Sequence, residues 1–148
     1  MVGSSFVADA ANGLYAWVNE ANQKLHGMLV DAMGEEYISS ATAITIVAGT
    51  SDYAVPTGLF KLYGIDATIS GYTQSLRQYQ RRERNLFRNA NTGGTGGLTR
   101  YGLDVPHYSL VGGYIRLYPA PTSVFTCTVL YAPEATVLTT GTDAVNYP

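Results

Sequence analysis

Gly112-Gly113, set between two alternating segments, constrains this chain more than any other feature. A two-residue hairpin loop needs positive φ at its central positions, which glycine adopts without strain. Placing the loop there pairs Val111 with Tyr114, Leu110 with Ile115, Ser109 with Arg116 and Tyr108 with Leu117. The pleat then sorts Tyr108, Leu110, Ile115 and Leu117 to one face, and Ser109, Val111, Tyr114 and Arg116 to the other. A slip by one residue would scatter this sorting, so turn and pattern agree. Pro119-Ala120-Pro121 ends the second strand, because proline has no N–H for a ladder. Phe125, Cys127, Val129 and Tyr131 alternate with Thr126, Thr128 and Leu130 as a third strand, closed by Pro133. Residues 107–133 therefore read as an antiparallel meander. Its inner face commits Tyr108, Leu110, Ile115, Leu117, Phe125, Cys127, Val129 and Tyr131 to core. Its other face offers Tyr114, Arg116 and Tyr118 as a candidate subunit contact.

Upstream, apolar residues recur at helical spacing from Val7 through Leu14, Trp17, Val18, Ala21, Leu25, Met28, Leu29 and Ala32. Two readings of the start are open. Ser4 or Ser5 caps a long helix, or Asn12-Gly13 interrupts it and leaves a helix Leu14–Met33 preceded by an arm at residues 1–13. Gly34 stands where a left-handed terminating residue is expected. Residues 42–47 are rich in β-branched side chains, and Gly49-Thr50-Ser51-Asp52 reads as a turn. Tyr53-Ala54-Val55-Pro56 returns as a short extended piece. Leu59–Ile69 is a longer strand with Tyr63, Ile65, Ala67 and Ile69 along one side. A second helix is predicted over residues 73–89, with Leu76, Tyr79, Leu86 and Phe87 on one face. Residues 91–97 form a flexible glycine-rich loop, and residues 139–148 an irregular tail. The expected fold is α+β: a long amino-terminal helix and a second, arginine-rich helix packed with an antiparallel sheet, all in a single domain spanning residues 1–148.

A chain of 148 residues can remove about 70% of its unfolded surface from water as one domain. No apolar run approaches the roughly 20 residues of a membrane span, and residues 1–5 lack the basic-then-apolar pattern of a secretory signal. Cys127 is the only cysteine, which excludes an internal disulfide and a cysteine-based zinc cluster. On the apolar face of its strand it reads as a buried, inert thiol. His26 and His107 have no sequence-local partner for a triad and read as solvated or structural. Glu35-Glu36 would point to opposite faces of an extended segment, which argues against a shared acid–base site. The loop at residues 93–97 lacks the lysine and Ser/Thr of a phosphate loop. We therefore expect no enzyme activity, no metal and no cofactor.

The arginines stand above background. Arg77, Arg81, Arg82, Arg84 and Arg88 place five of the nine cations in twelve residues, opposed only by Glu83. Three readings are open: a nucleic-acid backbone, an acidic face on a neighbouring protein, or a solvated helix face. The net charge of −2 also hides an asymmetry. Residues 1–70 carry seven acids and two bases, and residues 71–148 carry four acids and seven bases. Such a polar chain suits head-to-tail packing of like subunits, although chance accounts for it equally well. Twelve tyrosines against four phenylalanines supply rings with a polar end, which suit surfaces buried on association as well as core.

Taken in order, several pieces resemble the head-to-tail adaptor (connector) proteins of tailed bacteriophages, especially those of short-tailed phages. Leu14-Tyr15-Ala16-Trp17-Val18-Asn19-Glu20-Ala21 is similar to the tryptophan–hydrophobic–Asn-Glu-Ala stretch of the family's first helix. Thr45-Ile46-Val47-Ala48-Gly49 with Tyr53-Ala54-Val55-Pro56 resembles its strand, turn and Tyr-x-hydrophobic-Pro segment. Arg82-Glu83-Arg84-Asn85 lies where members carry a charged helix. Tyr114-Ile115-Arg116-Leu117-Tyr118-Pro119-Ala120-Pro121 with Val129-Leu130-Tyr131 is similar to its closing strands. Members continue past the equivalent of Tyr147-Pro148 into carboxyl-terminal helices that this sequence does not include.

The resemblance implies a structural virion protein at the head–tail neck, assembled in the host cytoplasm. It implies a ring, dodecameric in the family, that docks on the portal protein, holds tail or nozzle proteins and leaves a channel for DNA. Arg77, Arg81, Arg82, Arg84 and Arg88 would then line that channel, in non-specific contact with DNA, or meet acidic protein groups. The rival readings are a small DNA-binding accessory protein using the same arginines, and another neck or tail-tube (stopper) component.

Overall fold

A computed structural model describes residues 13–80, 106–139 and 143–145. The chain divides into two compact units, Met1–Ser40 with Ala132–Pro148, and Ala41–Tyr131. In the first, helix α1 spans Leu14–Met33, the shorter of the two expected helices. Gly13 stands at its amino end, and Gly34 (φ 60°) terminates it by donating its N–H to the Val30 carbonyl. A one-turn 3-10 helix, Gly34–Glu36, follows. Glu35 and Glu36 are thus exposed on a tight turn, not on an extended segment.

The orientation of α1 overturns the hydropathy reading. Its buried residues are Asn22, His26 and Val30. Trp17 (72% exposed), Met28 (68%), Leu14, Val18 and Leu25 point outward. The reason lies in the partner. The carboxyl segment at residues 133–138 lies outside any sheet beyond Pro133, so its main-chain groups need hydrogen bonds that apolar side chains cannot supply. Amide and imidazole groups supply them.

Among the described residues seven strands follow, lying almost wholly in the second unit: β1 (Ser40–Ile46), β2 (Asp52–Ala54), β3 (Leu59–Ile69), β4 (Tyr72–Ser75), β5 (His107–Val111), β6 (Tyr114–Tyr118) and β7 (Phe125–Pro133). They form a four-stranded sheet in the order β1-β7-β3-β4 and a three-stranded sheet in the order β2-β6-β5. The β5–β6 register is the one Gly112-Gly113 dictates, from Tyr108↔Leu117 to Val111↔Tyr114, with φ 57° and 82° at the two glycines. The meander breaks at Pro119-Ala120-Pro121: β7 leaves the hairpin and inserts between β1 and β3. Strand β2 likewise pairs with β6 in the other sheet, Asp52 facing Arg116. Both sheets contribute to one core of Ile46, Ile65, Ala67, Leu76, Tyr108, Ile115, Leu117, Phe125, Cys127, Val129 and Tyr131. Leu110 does not join it. On an edge strand beside the turn, it is 43% exposed.

The predicted second helix fails over its first part. Tyr72–Ser75 is strand β4, antiparallel to β3 through a tight turn at Ser70-Gly71 whose φ angles are 51° and 85°. Both values are positive, as in a type I′ turn, and the Ser-Gly pair is its sequence signal. Arg77 and Tyr79 then run beside Tyr108: the Tyr108 N–H donates to the Arg77 carbonyl (3.0 Å) and the Tyr79 N–H to the Tyr108 carbonyl (2.6 Å). Over residues 73–79 a β-turn and these main-chain bonds replace the expected helix. The remainder of that helix, the glycine-rich loop and the arm at residues 1–12 lie outside the described residues.

Candidate functional site

Two sets of polar and aromatic groups stand out among the described residues. The first is the seam of α1. Asn19 makes a two-way contact with Leu138, its Nδ2 donating to the carbonyl and its Oδ1 accepting from the N–H, both at 2.8 Å. Asn22 Nδ2 donates to the Thr136 carbonyl at 2.9 Å. His26 Nε2 lies 2.9 Å from the Pro133 carbonyl, so it carries the proton and donates. The imidazole, 3% exposed, also packs against the Tyr37 ring at 5.9 Å. Positions 19, 22 and 26 fall on one helical face because they are three and four apart. A small cleft, about 210 Å³, opens beside Asn22, His26, Ile38 and Glu134. His26 is structural, as one of its two sequence readings held, and its Nε2 proton is committed to a carbonyl.

The second set lies on the three-stranded sheet. Tyr114 is 52% exposed at the hairpin tip. Arg116 grips Asp52 across the β2–β6 pairing with a fork of two bonds, Nε to Oδ1 at 2.5 Å and an η nitrogen to Oδ2 at 2.8 Å. The bond from Arg116 holds the Asp52 carboxyl below its ordinary 3.8, and the pair raises the guanidinium in turn. Tyr118 is half-buried and packs against Tyr79 with the rings tilted, centroids 4.9 Å apart. Of the proposed contact residues, Tyr114 is thus the one whose ring projects, while Arg116 and Tyr118 hold partners within the unit. Arg77 is exposed on the irregular run after β4. Arg81, Arg82, Arg84 and Arg88 lie outside the described residues. The Cys127 thiol, 2% exposed, is pushed up to about 11 by burial and then by the nearby Asp66 charge. It stays protonated at neutral pH, which makes it a poor nucleophile.

The turn before β2 shows what the local sequence markers do. Tyr53 Oη accepts the Val47 N–H at 2.8 Å and lies 3.1 Å from the carbonyls of Val47 and Thr50, to one of which it donates. The Gly49 N–H reaches the Pro121 carbonyl at 2.8 Å, and the Leu117 N–H reaches Ser51 at 2.8 Å. A tyrosine and the glycine turn beside it meet a Pro-x-Pro segment distant in sequence at one joint. Residues 3–148 match the family model of the SU10 adaptor protein. The chain belongs to that family. SU10 adaptor proteins are phage head–tail adaptors, so this is an adaptor and a virion component. No curated protein matches the chain closely enough to count as a relative. Within the adaptor, Asn19, Tyr53 and Pro121 are joints of the fold. None of the three announces its contact in the sequence, because each partner is a main-chain group that no residue pattern displays. Among the described residues no helix is long and apolar enough to cross a membrane.

Proposed function

We propose that this adaptor is a non-enzymatic ring component, dodecameric as the family resemblance implies, that docks on the portal and carries tail or nozzle proteins on its far side. The observation that carries this reading is the family match over residues 3–148. A closed ring needs two different complementary faces on each subunit, and the segregation of acidic and basic residues along the chain supports it. In this reading the arginines at 77, 81, 82, 84 and 88 border the channel for DNA or meet acidic groups on the portal or a neighbour. Tyr114, with Arg116 and Tyr118 beneath it, contributes to subunit contact. The ring assembles in the host cytoplasm before joining the neck.

Light scattering and negative-stain imaging of the chain, alone and with portal rings, test this directly. The expected result is a ring that joins the portal; a lasting monomer that never does would overturn the proposal. Reversing charge at Arg77, Arg81, Arg84 and Arg88 together should weaken portal docking, ring closure or DNA retention. If all three survive, the arginines have another role. A DNA-binding accessory protein would instead show duplex affinity in the isolated chain that falls steeply with salt.

A further inference from the structure

The carboxyl segment changes character at Pro133. Up to that residue apolar burial holds the chain: Val129, Tyr131 and Ala132 are all buried. Beyond it no side chain through Leu138 is buried. Pro133, Ala135 and Leu138 are half-buried, while Glu134, Thr136 and Val137 are exposed. Residues 133–138 instead form a strap gripped by polar groups of α1. Asn19 meets the Leu138 main chain, Asn22 the Thr136 carbonyl and His26 the Pro133 carbonyl.

A seam of this kind resists opening differently from an apolar one. Parting apolar surfaces exposes area that water does not compensate. Parting a hydrogen-bonded seam lets water take both halves of each bond, so the net loss per bond is modest. Asn22 and His26 are buried, yet amide and imidazole are groups that water hydrates well. The cleft beside them, lined also by Ile38 and residues 133–136, leaves the strap standing partly off the helix.

The hinge and its consequence are also set by the chain. Strand β7 ends at Pro133, which has no N–H to continue a ladder. The chain enters the sheet unit after Ser40 and leaves it after Tyr131. A gripped strap therefore gives α1 a second tie to the chain leaving the sheets. A released one leaves α1 joined to them through residues 34–40 alone.

We propose that residues 133–138 are a latch: they leave α1 together, pivoting at Pro133, while both sheets stay folded. Closed, the latch covers Asn19, Asn22 and His26. Open, it presents those groups to solvent and releases one of the two ties on α1. The adaptor thus has two states of its first helix, whether or not it closes into a ring.

Native-state hydrogen exchange on the full chain, in rising urea below the unfolding transition, reads this opening. The Leu138 N–H, bonded to Asn19, reports the latch, and Val129 in the central strand β7 reports the sheets. Exchange at Leu138 should be the faster and nearly independent of urea, because little surface is exposed. Exchange at Val129 should carry the full urea dependence of global unfolding. Asn22→Ala, which removes the bond to Thr136 and leaves that of Leu138 in place, should speed Leu138 about tenfold and Val129 far less. A Leu138 that follows Val129 in rate and urea dependence would mean that the strap departs only when the chain unfolds, which overturns the latch. An unchanged Leu138 in Asn22→Ala would show bonds opening singly, and equal acceleration at Val129 would show the sheets opening too; either result also overturns it. The wild-type urea dependence decides the question by itself if the variant does not fold.

Discussion

The two units differ in what they bury: the sheet unit's core is apolar, while α1 buries Asn22 and His26 beside Val30. The sheet unit follows hydropathy: Ile65, Leu117 and Val129 are at most 1% exposed, and the alternation of β7 reads inward and outward as its sequence does. The helical unit departs from it: Val30 is enclosed, but so are Asn22 and His26, at 7% and 3% exposure, while Trp17 is at 72%. What differs is the partner. A sheet face whose main-chain groups are already paired asks only for apolar volume. A segment outside the sheets asks for donors and acceptors, and the helix turns the residues that have them toward it. Amphipathicity therefore reports that a helix has two faces, and the neighbour decides which one is inside.

Substitutions can break this contrast, beginning where the effect should be largest. Leu117→Ala should cost about 3 kcal/mol, the usual result of emptying a fully enclosed leucine site. Urea denaturation followed by circular dichroism reads it. In the seam, Asn19→Ala removes one acceptor and one donor, leaves the Leu138 N–H unmet and should cost about 2 kcal/mol. Hydrogen exchange should then speed up at Leu138; unchanged protection there would mean the seam does not hold the segment.

Tyr53→Phe keeps the ring and deletes the hydroxyl that the Val47 N–H uses, with an expected loss of about 1 kcal/mol in the same denaturation assay. The Asp52–Arg116 fork is exposed and acts in a pH window. Its effect depends on a carboxyl held below 3.8 in the folded chain. That contribution is present above the unfolded value and lost as pH falls through the lowered one. The unfolding midpoint of Asp52→Asn should thus lie below the wild type at neutral pH and converge with it in strong acid. Trp17→Ala should sit at the bottom of the series. Removing the largest side chain of α1 should shift monomer stability by no more than about 0.5 kcal/mol. A loss comparable to that of Leu117→Ala would erase the distinction between the units.

The parts legible in the sequence were those set by local rules. The hairpin register follows from two glycines and a period of two. The end of α1 follows from Gly34, its start at Leu14 is one of two readings, and the bounds of β3 follow from its run of alternating residues. Strand pairing was not legible, because the insertion of β7 between β1 and β3 depends on partners about 60 to 85 residues away. The start of the predicted second helix misled for a different reason: Leu76 and Tyr79 satisfy a helix template whether or not a turn such as Ser70-Gly71 has already reversed the chain. In the candidate site, Tyr114 could be placed at the hairpin tip, whereas the Arg116 tie to Asp52 needed the β2–β6 pairing to become visible. Asn19 and Asn22 gave no sign at all, since asparagine on a helix reads as an ordinary polar position.

The two-way bond of Asn19 sets an unequal tolerance to sequence drift. Its amide offers one acceptor and one donor, as a peptide group does, and it meets Leu138 through the main chain alone. Such a grip is blind to the side chains it holds: residues 134–138 are free to diverge as long as their backbone keeps its course. The reader of that backbone has no such freedom. Aspartate at position 19 lacks the donor and leucine lacks both groups, so variation should be permitted in the gripped segment and refused in the grip.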